Sequence, residues 1–242
     1  MIPAKKAFLF PGHSGKEGMG RGGPGLSPVM DGIYARAERI LGRGITDLMR
    51  SGPLEELRRT ENSQPATFLA SIAVFYDLAA LGIAPDVLMG RSLGDFTAVV
   101  ASGALSFEEG LRLIRRRGDI FERSCRRNPG RMAVILGAPE SAVRAICERA
   151  AAATNGVCEI AGINTDSNFV ISGTAAAVAA AERGAKDIGA HIMDIAMPGP
   201  FHSSLMREAG LEFLEVLEKV EFLDPRRPIV YDQAEGGILT RR

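Results

Sequence analysis

In the stretch Asp86-Val87-Leu88-Met89-Gly90-Arg91-Ser92-Leu93-Gly94-Asp95-Phe96-Thr97-Ala98-Val99-Val100, a short apolar run meets Gly-x-Ser-x-Gly and then a helical pattern. That order is expected where a strand turns sharply into a helix and lifts a serine hydroxyl out of the backbone. Ser92 is therefore the candidate nucleophile. The flanking glycines serve the turn, because neighbouring segments crowd those positions and a Cβ would collide. The helix that follows points its first N–H groups back at the turn, where negative charge developing on a substrate oxygen would be stabilised. The bland alternative is a glycine-rich connection carrying a solvent-facing serine.

Upstream, Ala7 to Phe10 reads as a buried first strand closed by Pro11-Gly12. From His13 to Gly25 there are six glycines, backbone suited either to approaching a ligand or anion closely or to forming a surface loop. Residues 30 to 50 carry helical spacing. Thr60 to Gln64 caps a helix expected to begin near Pro65 and to run through Phe68, Leu69, Ile72 and Phe75. Downstream, the helix after Ser92 ends at Ser102-Gly103, and Glu108 to Cys125 forms another with Leu111, Ile114 and Phe121 at core spacing. Eight arginines lie between Arg112 and Arg131 against only Asp119 and Glu122. A solvated face explains such a run; the competing readings are a docking surface for phosphates or an acidic partner, and an inward Arg117, next to Gly118, that holds a carboxylate bidentately.

The rhythm changes at Met132. Met132 to Leu136 reads as a strand, Glu140 to Ala153 as an alanine-rich helix, and Val157 to Ile163 with Phe169 to Ser172 as two strands. A second alanine-rich helix, Thr174 to Ile188, and a strand, His191 to Ala196, complete a β-α-β-β-α-β order, the ferredoxin-like arrangement. Residues 131–196 thus read as a small domain inserted into a larger α/β domain made of 1–130 and 197–242. After the insert come Phe201-His202-Ser203-Ser204, a helix to Val220, a short strand Ile229 to Tyr231 and a polar end.

At 242 residues and 46% hydrophobic content, the chain can bury a substantial core. A formal net charge of zero removes any composition-level case for nucleic acid or an anionic membrane surface. Cys125, Cys147 and Cys158 are too few and too irregularly spaced for a disulfide framework or a zinc site; they read as reduced packing residues in a cytosolic protein with no metal. The N-terminus lacks the apolar length of a signal peptide, and no stretch suits a bilayer span.

A serine hydroxyl is a poor nucleophile until a neighbour takes its proton. Of the three histidines, His13 sits in the glycine-rich loop and His191 opens a strand. His202 lies on an irregular Pro- and Gly-rich loop before a helix, where catalytic residues tend to lie, and is the candidate base.

At this point a resemblance becomes specific. Phe10-Pro11-Gly12, Gln64-Pro65, Gly90-x-Ser92-Leu93-Gly94, Gly103-Ala104-Leu105-Ser106, Arg117-Gly118, Asn164 with Val170-Ile171-Ser172-Gly173, and Phe201-His202-Ser203 are similar, in order and spacing, to malonyl-CoA:acyl-carrier-protein transacylases and polyketide synthase acyltransferase domains. The likeness extends from about residue 7 to about residue 231. It implies an α/β-hydrolase-like large domain interrupted by the ferredoxin-like insert, with the active site in the cleft between them. It further implies Ser92 as the acylated nucleophile, His202 as the base, Arg117 as the guanidinium for a malonyl carboxylate, Gln64 as a substrate-site residue, and the backbone N–H groups of His13 and Leu93 as oxyanion donors. Phe201 would crowd a branch on the substrate's α-carbon. The reaction would run from malonyl-CoA to the phosphopantetheine thiol of an acyl carrier protein, in fatty-acid or polyketide synthesis, without a cofactor.

The chain departs from the family in three places. Arg91 stands where most relatives have histidine; a second cation there strengthens binding of an acidic group, alters which group is accepted, or points away. His13 replaces a glutamine. Relatives also continue past the strand at Ile229, and the carbonyl that orients their catalytic histidine comes from that part, with Asp232 as a substitute acceptor in this sequence. Two alternatives accordingly accompany the transacylase: an acyl-thioester hydrolase of the same family, and a truncated, non-catalytic carrier-protein-binding module. The sequence is silent on oligomeric state.

Overall fold

The computed structural model of the chain describes residues 5–13, 27–42, 44–231 and 237–240. The six-glycine stretch after His13 and Asp232 lie outside these residues. Chain order is β1 (Ala7–Phe10), α1 (Pro28–Leu41), α2 (Ile45–Ser51), α3 (Leu54–Arg58), α4 (Thr60–Ala80), β2 (Val87–Gly90), α5 (Leu93–Ser102), α6 (Phe107–Arg127), β3 (Gly130–Leu136), α7 (Glu140–Thr154), β4 (Cys158–Thr165), β5 (Asn168–Thr174), α8 (Ala175–Asp187), β6 (His191–Ile195), a 3-10 turn over Ser204–Met206, α9 (Arg207–Leu217), β7 (Ile229–Tyr231) and β8 (Gly237–Leu239). The fold is mixed α/β. It divides into two compact units, Met1–Asp119 with Val216–Arg242, and Ile120–Glu215.

The first unit is built on a sheet of order β1-β2-β7-β8. Strands β1, β2 and β7 are parallel, with Phe10 opposite Gly90 and Leu88 opposite Ile229. Parallel neighbours cannot be joined by a hairpin, so α1 to α4 intervene between β1 and β2. Helix α4 is apolar nearly all round and lies inside the unit. Phe68, Leu69 and Ile72 are each 0% exposed, and burying each such side chain stabilises by about 1.5–3 kcal/mol.

Two expectations need correcting in this unit. Helix α4 starts at Thr60 rather than near Pro65, because the Arg59 carbonyl accepts from Asn62 N at 2.9 Å and Ser63 N at 2.8 Å and closes a turn before the proline is reached. Pro65 is then inside the helix, where it lacks only the N–H that would have gone to the Glu61 carbonyl. Nor is the end after Tyr231 simply polar: β8 pairs antiparallel with β7, Val230 opposite Ile238.

The second unit carries a fully antiparallel sheet of order β4-β5-β3-β6, with strands and helices alternating in the expected β-α-β-β-α-β order. Ala150 of α7 and Ala177, Ala181 and Ala185 of α8 join Ile135, Ile146, Phe169 and Ile171 in one core. Small side chains let helices settle close to the sheet, which is why both are alanine-rich. All three cysteines are free and buried, as packing residues should be.

Four of the eight arginines from Arg112 to Arg131, three on α6 and Arg131 on β3, are in ion pairs. Arg115 meets Asp119 at 3.0 Å, Arg123 meets Glu212 at 2.5 Å, Arg126 meets Glu122 at 3.1 Å, and Arg131 meets Glu182 at 2.9 Å. Such pairs contribute about 0–1 kcal/mol each and describe a solvated face. Arg117 is the departure, only 9% exposed. Among the described residues, no helix is long and apolar enough to cross a membrane.

Candidate active site

At the end of β2 the backbone must reverse within a few residues and enter α5. Ser92 takes the bend at φ 53°, ψ −110°, a conformation that side chains rarely adopt. Holding a non-glycine residue there costs on the order of 1–3 kcal/mol, and such strain persists only where the surroundings over-determine it. They do so here. Arg91 N donates to the Phe10 carbonyl at 3.1 Å, Gly94 N to the Arg91 carbonyl at 2.9 Å, and Asp95 N to the Ser92 carbonyl at 3.1 Å.

The two glycines of the motif have the steric role expected of them. A Cβ on Gly90 would lie 2.1 Å from Asp95 N, and one on Gly94 would lie 2.2 Å from the Phe10 carbonyl oxygen. Both contacts are with backbone, which cannot swing aside. Gly12, after β1, comes almost as close: its Cβ would lie 3.1 Å from the Arg91 carbonyl oxygen. The loop after β1 thereby passes beside the turn at Gly12. Leu93 opens α5, among the N–H groups that a helix leaves without an intrahelical acceptor.

Gln64 on α4 and Arg117 on α6 meet as a buried pair, the guanidinium Nη1 donating to Gln64 Oε1. Gly118 permits the approach, since a Cβ there would lie 2.9 Å from both Glu61 Cα and the Thr60 carbonyl oxygen at the start of α4. The guanidinium carbon also sits 5.7 Å from the centre of the Phe96 ring, within cation–π range. Phe96 lies in the first turn of α5, four residues beyond Ser92. Burial lowers Arg117 to about 10, and the nearby Asp95 carboxylate opposes that shift. Arg117 therefore remains a cation near neutral pH, with little water around it to screen it.

His13 bonds through Nε2 with Ser63 Oγ. The same Ser63 Oγ lies 3.0 Å from the Arg59 carbonyl oxygen. Burial first, and the charge of Arg117 second, lower His13 from 6.5 to about 3. It is a neutral ring at any ordinary pH. Arg91 contributes backbone bonds to the turn, and its side chain is exposed.

Phe201 and His202 belong to the second unit. Phe201 is buried and stacks on Phe121 with centroids 6.0 Å apart and planes 2° from parallel; Phe121 in turn meets Phe213 edge-on at 6.4 Å. His202 follows, exposed, at φ 61°. The residues around it are tied down: Ser203 Oγ donates to the Pro200 carbonyl at 2.7 Å and Asn128 Nδ2 to the Leu205 carbonyl at 3.2 Å.

Sequence reasoning missed Ser63, Asp95 and Phe96. Each sits beside a residue it did select, or within a turn of one, and nothing in composition or periodicity sets them apart. Among the described residues no group of His, Cys, Asp and Glu is arranged to hold a metal ion.

The acyl transferase domain family matches residues 7–233. The chain is 36% identical to the malonyl CoA-acyl carrier protein transacylase of Bacillus subtilis over 99% of its own length and 75% of that protein's. It is 33% identical to the Staphylococcus aureus transacylase of the same name over 97% and 76%. Among solved structures it resembles a malonyl-transacylase in complex with a type II PKS acyl-carrier protein, with a TM-score of 0.90 at 30% identity over 98% of this chain and 77% of that one. It also resembles an acyl-carrier-protein S-malonyltransferase from Burkholderia pseudomallei, with a TM-score of 0.87 at 33% identity over the same shares.

Proposed function

Since the chain belongs to the acyl transferase family, with malonyl CoA-acyl carrier protein transacylases among its relatives, we propose that it moves a malonyl group from CoA to the phosphopantetheine thiol of an acyl carrier protein through acyl-Ser92. In the first half-reaction His202 takes the Oγ proton as Ser92 attacks the thioester carbonyl. The tetrahedral oxyanion is received by the N–H groups of Leu93 and His13. Collapse expels CoA, whose sulfur takes the proton back from the imidazolium. In the second half the carrier thiol gives its proton to His202, attacks the acyl-serine and leaves as the malonyl thioester, restoring the serine hydroxyl. Neither half consumes a cofactor.

Arg117 pairs with the free carboxylate of the malonyl group, and Gln64 holds the guanidinium in place for it. A buried planar cation favours a diacid over a plain acetyl group, which offers no carboxylate for the guanidinium to bond. The same residue supports transfer over hydrolysis of monocarboxylic thioesters, which gain nothing from a carboxylate clamp. His13 is neutral, so its ring adds no second charge to the site. Arg91, exposed at the turn, and Phe201, fixed by its stack on Phe121, act at the margins of acyl-group choice.

The reading extends to the fold. We take residues 1–130 and 197–242 as one α/β-hydrolase-like domain, drawn wider than the compact unit that bears Ser92, and residues 131–196 as a ferredoxin-like insert, supported by the β4-β5-β3-β6 order. The cytoplasm, where CoA thioesters and carrier proteins are found, is the matching compartment.

The observation that carries the proposal is the strained backbone of Ser92 held between Gly90 and Gly94, since a binding-only module has no use for that strain. The test is incubation with malonyl-CoA and intact-mass measurement, followed by addition of pantetheinylated carrier protein. A malonyl adduct on Ser92 that the carrier thiol discharges is the expected result. Release of free malonate without carrier would mark a hydrolase, and no adduct at all would refute the enzymatic reading.

A further inference from the structure

Glu159 sits on β4, paired opposite Ser172 of β5, and reaches the loop that carries His202. Its Oε2 accepts the backbone N–H of Ser204 at 2.6 Å and its Oε1 accepts the Ser204 hydroxyl at 2.7 Å. Both oxygens of one carboxylate therefore grip one residue, by charge-assisted bonds, from a strand fixed in a sheet. Ser204 is also the first residue of the 3-10 turn, so the carboxylate faces N–H groups left open at that terminus.

His202 is the neighbour that needs such a grip. At φ 61° it is outside the conformations that non-glycine residues favour, and released it would relax to another backbone state. On one side Phe201 is anchored in the stack with Phe121; on the other, two residues on, the anchor is Glu159. Solvent-exposed polar contacts of this kind contribute little to stability. Geometry is what this one provides.

We propose that Glu159 is a positioning residue for the catalytic imidazole, setting the direction of His202 by clamping Ser204. The proposal rests on the reading of His202 as the base.

The test is single-turnover acylation of Ser92 by malonyl-CoA, read by intact mass, in the wild type, Glu159→Ala, Glu159→Gln, Ser204→Ala and His202→Ala. Glu159→Ala should acylate about 10²-fold more slowly, with the half-saturating malonyl-CoA concentration and the melting temperature little changed. Glu159→Gln keeps an acceptor for the Ser204 N–H and offers an amide donor to the hydroxyl, and should recover most of that loss. Adding Ser204→Ala to Glu159→Ala should cost nothing further, because the two act through one contact. An unchanged rate in Glu159→Ala overturns the proposal, as does a loss confined to substrate affinity or to melting temperature. If His202→Ala acylates normally, the base assignment falls and the proposal with it; if His202→Ala is inactive while Glu159→Ala is normal, only the proposal falls.

Discussion

Arg117 of α6 donates to the side-chain oxygen of Gln64 on α4, and both residues are buried. The helices come close enough for this only because residue 118 is glycine, with the Thr60 carbonyl and Glu61 Cα where a Cβ would be. One guanidinium out of a run of eight arginines is thereby withdrawn from solvent and aimed by a neutral partner, with the Asp95 carboxylate nearby.

That charge is what a malonyl carboxylate would meet. Arg117→Ala should lower malonyl loading relative to acetyl loading by about 10- to 100-fold, the range for one hydrogen bond to a charged group at ~1.5–3 kcal/mol. Loading of Ser92 from each CoA thioester under matched conditions measures the ratio, and an unaltered ratio would remove Arg117 from the acyl site.

Backbone strain at Ser92 separates stability from activity. Both Ser92→Ala and Ser92→Gly should lose the malonyl adduct entirely. The glycine variant should be the more stable of the two by about 1 kcal/mol, because glycine accepts a positive φ that alanine resists. Chemical denaturation of the pair reads the difference; equal stabilities would mean the turn holds no strain.

Glycines elsewhere in the chain offer an internal contrast. Gly94→Ala would drive a Cβ to 2.2 Å from the Phe10 carbonyl oxygen and should prevent the native turn from forming, whereas Gly32, inside α1, has nothing within 4 Å of the same atom. Gly32→Ala should raise stability by about 0.5–1 kcal/mol through helix propensity. Thermal melts of both variants decide the matter.

His13 makes acid stability predictable in sign. Its folded value, about 3, is below the ordinary 6.5, so between these values the unfolded chain binds a proton that the folded chain refuses. Stability contributed by the neutral ring is fully present above about pH 6.5 and is lost as pH falls toward 3. His13→Gln, which cannot titrate, should flatten the decline of melting temperature between pH 6 and pH 4. An identical pH profile in the variant would place the His13 ring in water.

Much of this was legible in one dimension. The strand-turn-helix around Ser92 is read from Gly90, Gly94 and the apolar runs because steric crowding and hydrophobic period act between near neighbours, and the alternating strands and alanine-rich helices of residues 130–195 follow the same logic. Helix α4 shows where that logic fails: Pro65 suggests a start, yet the Arg59 carbonyl closes the turn earlier. Other facts belong to tertiary structure alone. Gln64 and Arg117 lie 53 residues apart, His13 and Ser63 lie 50 apart, and Glu159 and Ser204 lie 45 apart. Which arginine turns inward, which serine meets the His13 ring and which carboxylate holds the His202 loop depend on packing that brings distant backbone together and excludes water, and no local pattern encodes either.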